Sequence, residues 1–173
     1  MKKLILLLLM AAATGGSAWA QKGMQGIGAN FAMNIGDEAA IGGSLKYQYN
    51  ITNYVRIEPS ISFYGEADET FGMSILLNGH FFFFSPRVVR PYLFVGAGYG
   101  EYYGEQWTYA YDKYYSHLKM GSESCFVGNA GLGLDWRISH KFSLQLEAGV
   151  MTNFDDDGTA LNLKANIGFA YNF

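Results

Sequence analysis

Three features of the 173-residue sequence predict an all-β fold: an eight-stranded antiparallel transmembrane β-barrel of up-and-down topology, preceded by a cleaved signal peptide. The first 20 residues carry an export pattern. The remainder alternates with the strand period of two, and the face that is not apolar is too poor in charge to meet water. Composition agrees. Charged residues make up 16% of the chain, against about 25% in an average soluble domain. Glycine is abundant at 22 residues, and each glycine inside a helix costs about 1 kcal/mol, which argues against a helical bundle. A net charge of -3 leaves no basic face for nucleic acid.

Lys2 and Lys3 give a positive start, Leu4 to Ala13 an apolar run of ten residues, and Ala18-Trp19-Ala20 a small-x-small cleavage site. The expected division is a signal peptide at 1–20 and one barrel domain at 21–173. Ten apolar residues fall short of the ~20 that a membrane-spanning helix needs. No cysteine follows the run to take a lipid, and Cys125 alone makes no internal disulfide.

The segments follow in order. The first sets Ile27, Ala29, Phe31, Met33 and Ile35 against Gly26, Gly28, Asn30, Ala32 and Asn34. The second sets Ile41, Gly43, Leu45, Tyr47 and Tyr49 against Gly42, Ser44, Lys46, Gln48 and Asn50. The third opposes Val55, Ile57, Pro59, Ile61 and Phe63 to Arg56, Glu58, Ser60, Ser62 and Tyr64. The fourth, Phe71 to Phe84, and the fifth, Arg90 to Gly100, are less clean, because Leu76, Phe82, Tyr92 and Phe94 fall on the polar face. The sixth alternates from Phe126 to Arg137, the seventh from Phe142 to Met151 and the eighth from Leu161 to Phe173. Connections after even segments (Ile51–Asn53, Ser85–Val89, Ser139–Lys141) look shorter than those after odd ones (Gly36–Ala39, Gly65–Thr70, Glu101–Glu123, Asp155–Ala160). Short periplasmic turns and longer outer loops alternate in this way in a membrane barrel.

Alternation also fits a soluble barrel with its apolar face inward. Three points favour lipid outside. The second face is mostly Gly, Ser, Ala and Asn, which suits the crowded interior of eight strands better than a water surface. The segments reach the roughly 9–11 residues of a tilted spanning strand. Tyr47, Tyr49, Phe81, Phe83, Trp136, Phe142, Tyr171 and Phe173 sit near segment ends, where interfacial girdles belong.

Several stretches carry a family likeness. Asn166-Ile167-Gly168-Phe169-Ala170-Tyr171-Asn172-Phe173 ends on two spaced aromatics, Arg90 to Gly100 contains Pro-Tyr followed by Gly-x-Gly, and Arg56 to Tyr64 holds a Glu-Pro pair. With these the chain resembles the small eight-stranded outer-membrane barrels of the OmpA/OmpX-like type, in the compact form common in Bacteroidetes. The resemblance implies residence in a Gram-negative outer membrane, among its lipid and lipopolysaccharide. It also implies an assembly signal at Asn166, Gly168, Tyr171 and Phe173, read by periplasmic chaperones and the barrel-assembly machinery. The peptidoglycan-binding domain of full-length OmpA-type proteins is missing from the sequence, so that tethering role is not expected.

Candidate functional residues fall into two groups. Lys46, Arg56, Glu58, Asp135, Arg137, Glu147 and Lys164 fall on the lumen face, where buried charges are tolerable only when paired. With Asn50 opposite Tyr54, Lys46 would face Glu58 and Gln48 would face Arg56. Their expected role is a structural lock in a plugged lumen, with an ion path as the alternative. The long connection holds Tyr102, Tyr103, Trp107, Tyr109, Tyr111, Tyr114 and Tyr115, residue types enriched at binding sites. The alternation of Trp107, Tyr109 and Tyr111 suggests a hairpin projecting past the membrane as a sticky rim for an unidentified surface ligand. Aromatic girdle packing is the plainer reading.

Other features point to less. Pro59, in mid-strand on the lipid face, is expected to mark a bulge. Asp155-Asp156-Asp157-Gly158 reads as a turn rather than a cation loop. His80, His117 and His140 show no His-x-Ser spacing of a lipid A deacylase, so no catalytic, cofactor-binding or metal residues are expected. The expected protein is a monomer of structural or surface-interaction type. Adhesion through residues 101–123 is the alternative, and a narrow channel or lipid-modifying enzyme is less favoured.

Overall fold

In the computed structural model the described residues are 22–35, 39–66, 71–84, 88–107, 118–155 and 158–173; the export segment lies outside them. Eight strands follow one another: β1 Gln25–Ile35, β2 Ala39–Asn50, β3 Val55–Glu66, β4 Phe71–Phe82, β5 Val89–Trp107, β6 Leu118–Arg137, β7 Phe142–Asp155 and β8 Gly158–Asn172. Each pairs with its sequence neighbour, and β1 pairs with β8, so the sheet closes. Closure is set by the ladder from Gly26↔Asn172 to Ile35↔Leu163. It is extended by reciprocal bonds between Gln25 and Phe173: Phe173 N to Gln25 O at 2.8 Å and Gln25 N to Phe173 O at 3.1 Å.

The two faces follow the period-two reading. Ile27, Leu45, Ile75, Leu132, Leu161 and Phe169 are all more than half exposed, whereas Arg56, Arg90 and Asp135 are fully buried. That inverts the arrangement of a water-soluble protein and is what hydrocarbon outside requires. Leu76, Phe82, Tyr92 and Phe94, the residues that blurred segments four and five, are buried inside the barrel.

Three expectations change. The β2–β3 register is Asn50↔Arg56 and Lys46↔Ser60, two residues from the expected pairing, because β3 starts at Val55 after a four-residue connection. In that connection the Thr52 hydroxyl accepts from the amides of Tyr54 and Val55 at 3.1 and 3.0 Å, and Thr52 N donates to Val55 O. Pro59 marks no bulge: the register is the same on both sides of it, and the ladder is simply interrupted opposite Tyr47 and Gln48. A proline nitrogen has no proton to give there. The outer connections are not uniformly longer than the inner ones either. Strands β5 and β6 run to 19 and 20 residues and absorb most of 101–123, while Asp155↔Gly158 leaves two residues between β7 and β8.

Close packing inside depends on Gly133, which pairs with Tyr92. A Cβ on Gly133 would collide with Tyr92 Cζ, at the hydroxyl end of the ring, whereas one on Gly79 would come no nearer than 3.6 Å to Phe81. Overpacking of this kind costs about 1–3 kcal/mol. Gly133→Leu is therefore expected to lower the midpoint of urea unfolding in detergent by that amount, with Gly79→Ala close to the parent.

Candidate functional site: the charged lumen and the outer hairpin

Alternation along β2, β3, β6, β7 and β8 turns Lys46, Arg56, Glu58, Asp135, Arg137, Glu147 and Lys164 inward, all buried. Toward the inner end, Asp135 Oδ2 accepts from Arg56 Nη2 and from Arg90 Nη2, both at 2.8 Å. Two guanidinium groups on one carboxylate are charge-assisted bonds of the strong kind. Both cations also lie over the Phe82 ring, Arg90 Cζ at 4.1 Å and Arg56 Cζ at 4.9 Å from its centroid. Arg90 belongs to this network and was absent from the residues chosen by sequence. Its signal was parity, since it shares a face with Tyr92 and Phe94, which the sequence already sets on the polar side.

One step outward, Glu58 Oε2 accepts from Gln48 Nε2 at 2.7 Å and lies 3.5 Å from Lys46 Nζ. Lys46 therefore reaches Glu58 diagonally rather than as its strand partner, and it also donates to Gln145 Oε1. Glu147 accepts from the Tyr92 hydroxyl and from Asn166 Nδ2, both at 2.8 Å. His80 stacks on Tyr92 with centroids 4.7 Å apart and rings 11° from parallel. Lys164 sits above this layer, paired with Gly149 in β7 and Asn34 in β1, and Arg137 Nη2 meets Met24 Sδ at 3.4 Å.

Of the outer aromatics, Tyr103 is exposed and pairs with Phe71 and Ser122. The backbones of Tyr102 and Trp107 are in β5; Tyr109, Tyr111, Tyr114 and Tyr115 lie outside the described residues, as do His117 and Asp156–Asp157. The β4–β5 ladder stops at Phe71↔Tyr103 and the β6–β7 ladder starts at Phe126↔Phe154, while β5–β6 pairing continues to Trp107↔Leu118. Among the described residues, the ends of β5 and β6 thus form a two-stranded ribbon above the wall. His140 is exposed in the inner connection. Of the assembly-signal residues, Asn166 faces the lumen, Gly168 packs beside Asn30, and Tyr171 lies outward, edge-on to Phe142 at 5.3 Å and 6.3 Å from Phe173.

Removing one member of a buried ion pair leaves its partner uncompensated, at a cost of about 3–5 kcal/mol. Asp135→Leu strands two arginines and Glu58→Leu one lysine. Both variants are expected to melt lower than the parent in detergent, Asp135→Leu by more, as read by loss of the heat-shifted gel band.

Residues 4–173 match the family model described as "Outer membrane protein beta-barrel domain". Outer membrane protein Omp38 of Acinetobacter baumannii is 30% identical over 88 residues, 47% of this chain but only 23% of Omp38. Among solved structures, Neisserial surface protein A superposes with a TM-score of 0.64 at 13% identity, covering 87% of this chain and 96% of that one. The N-terminal barrel of Pseudomonas aeruginosa OprF gives 0.56 at 21% identity, over 88% and 98% of the two chains. Ail of Yersinia pestis, solved with the heparin analogue sucrose octasulfate, gives 0.56 at 19%, over 88% and 99%. With a closed wall of eight strands, an apolar exterior and a family match across almost its whole length, the chain belongs to the outer membrane protein β-barrel domain family and resides in the Gram-negative outer membrane.

Proposed function

We propose that this barrel is a monomeric surface-interaction protein whose lumen is closed by side chains and whose contact element is the β5–β6 ribbon. The ribbon carries the reading. Beyond Phe126, β6 runs through Leu118–Cys125 without a β7 partner among the described residues. Those eight residues are roughly 27 Å of strand at ~3.4 Å per residue, and an unpaired edge offers main-chain groups to an extended partner.

Charge narrows the partner. All but three of the 15 acidic residues fall in the outer connections and strand ends, against only Lys113 and Lys119 there. The three others are Glu58, Asp135 and Glu147 in the lumen. A sulfated polyanion of the kind bound to Ail would be repelled by this rim, and a neutral or cationic ligand is favoured. The assembly partners remain part of the proposal: the outward Tyr171 and Phe173 at the end of β8 are accessible to the barrel-assembly machinery.

Closure of the lumen is supported by two buried layers, Phe82–Tyr92–Phe94 and Leu76–Cys125–Val127–Met151, with the ion pairs of Asp135 and Glu58 alongside. No step of a hydrolytic or acyl-transfer reaction is needed for this role.

Replacing residues 104–121 by a short glycine-containing turn cuts the ribbon where it leaves the wall and spares the ladders to β4 and β7. The shortened barrel is expected to keep its heat-shifted mobility while whole-cell adhesion falls to that of cells without the protein. Unchanged adhesion would remove the ribbon from the account. Planar-bilayer recordings of the intact barrel are expected to show no unitary conductance steps; regular steps would favour the channel instead.

A further inference from the structure

Two carboxylates and an imidazole from three strands converge in the lumen. Glu58 of β3, His80 of β4 and Glu147 of β7 each bring one ligand-type atom to within 4.8 Å of the others. All three are at least nine-tenths buried. His80 Nε2 stands 3.7 Å from Glu58 Oε1, which is too long for a hydrogen bond. It is close to the about 3.4 Å that separates two ligands of a tetrahedral zinc with bonds of ~2.0–2.2 Å. His80 Nδ1 also has no hydrogen-bond partner among the described residues. One nitrogen of a buried imidazole locked by its stack on Tyr92 is thus left without a polar bond, a state native interiors rarely leave unexplained.

The surroundings hold the two carboxylates in place. The Tyr92 hydroxyl and Asn166 Nδ2 each donate to Glu147, and Gln48 Nε2 donates to Glu58 Oε2, leaving Oε1 as the oxygen turned to His80. Outer hydrogen bonds of this kind orient metal-binding carboxylates. We propose that Glu58, His80 and Glu147 bind a zinc-like divalent cation inside the barrel, linking β3 and β4 to β7 across the lumen. A mixed nitrogen and oxygen donor set suits zinc and disfavours calcium and magnesium, which take oxygen ligands. Lys46 is the competing cation, with Nζ 3.5 Å from Glu58 Oε2. Its second acceptor, Gln145 Oε1, gives the ammonium a place to remain when the ion occupies the side of Oε1. His80 packs among Phe82, Tyr92 and Phe94, so the site lies against that apolar layer, and zinc is best supplied while the barrel refolds.

The test uses the chain from Gln21 onward, without a histidine tag, refolded in detergent with zinc, desalted and assayed for metal by mass spectrometry. The folded parent should retain one zinc per chain, and excess calcium or magnesium should not lower that. His80→Ala should abolish retention and His140→Ala should leave it intact. Tyr92→Phe keeps the stack but removes the donor to Glu147, and should weaken zinc binding about 10–100-fold, the usual effect of losing an outer partner. Lys46→Met should tighten it. Cobalt in place of zinc should give the visible absorption of a tetrahedral site in the parent, which decides the matter even where a variant fails to fold. A folded parent that holds no more zinc than His80→Ala, or binding that Tyr92→Phe does not change, overturns the assignment.

Discussion

Hydrocarbon offers backbone amides no partner, and this one constraint dictates most of what the chain does. Every N–H and C=O at membrane depth has to find its mate within the wall, so the first and last strands must meet. They do so along Gly26–Ile35 and Leu163–Asn172, fastened at the inner end by the reciprocal Gln25–Phe173 bonds. The terminal aromatics are therefore part of the structure that closes the barrel. Their outward faces provide the belt at the interface, with Tyr171 between Phe142 and Phe173.

Closing the wall moves the polar residues inward, where eight strands leave room for little besides side chains. Charge in that space has to be neutralised locally. Asp135 does this for Arg56 and Arg90 together, and Phe82 lends its ring face to the same two cations. Tyr92 links the layers: it fills the space above Gly133, stacks on His80 and donates to Glu147. The lumen is thus a polar core with aromatic struts, the counterpart of the apolar core of a soluble domain.

The strands and their facing were legible because side chains alternate along a strand and no bulge shifts the phase within the ladders. Arg90 was missed for a physical reason. Tyr92 and Phe94 blur the alternation of their strand, and the room that takes them inward is left by Gly131 and Gly133 on the neighbouring strand. Register was not legible, since it depends on how Thr52 and its neighbours shape one turn, and a shift of two residues keeps every side chain on its own face. The reach of β5 and β6 was only partly visible. Trp107 announced it by alternation, but Leu118–Cys125 gives a mixed signal because Gly121, Ser122 and Ser124 carry little hydrophobic contrast. The meeting of Glu58 and His80 with Glu147 could not be read at all, because β7 lies far along the chain from the paired strands β3 and β4.

The missing rungs at Pro59 have a mechanical meaning. A closed cylinder has no loose end from which to unravel, so rupture must begin where the wall is held by the fewest cross-links. Among the described residues, the seam between β2 and β3 is the one whose ladder is broken, opposite Tyr47 and Gln48. Lys46 and Glu58 stand beside that break and bridge it from within. The ion pair acts there as a rivet behind a perforated joint, and the barrel's resistance to tearing rests on a contact made by side chains where the backbone has none.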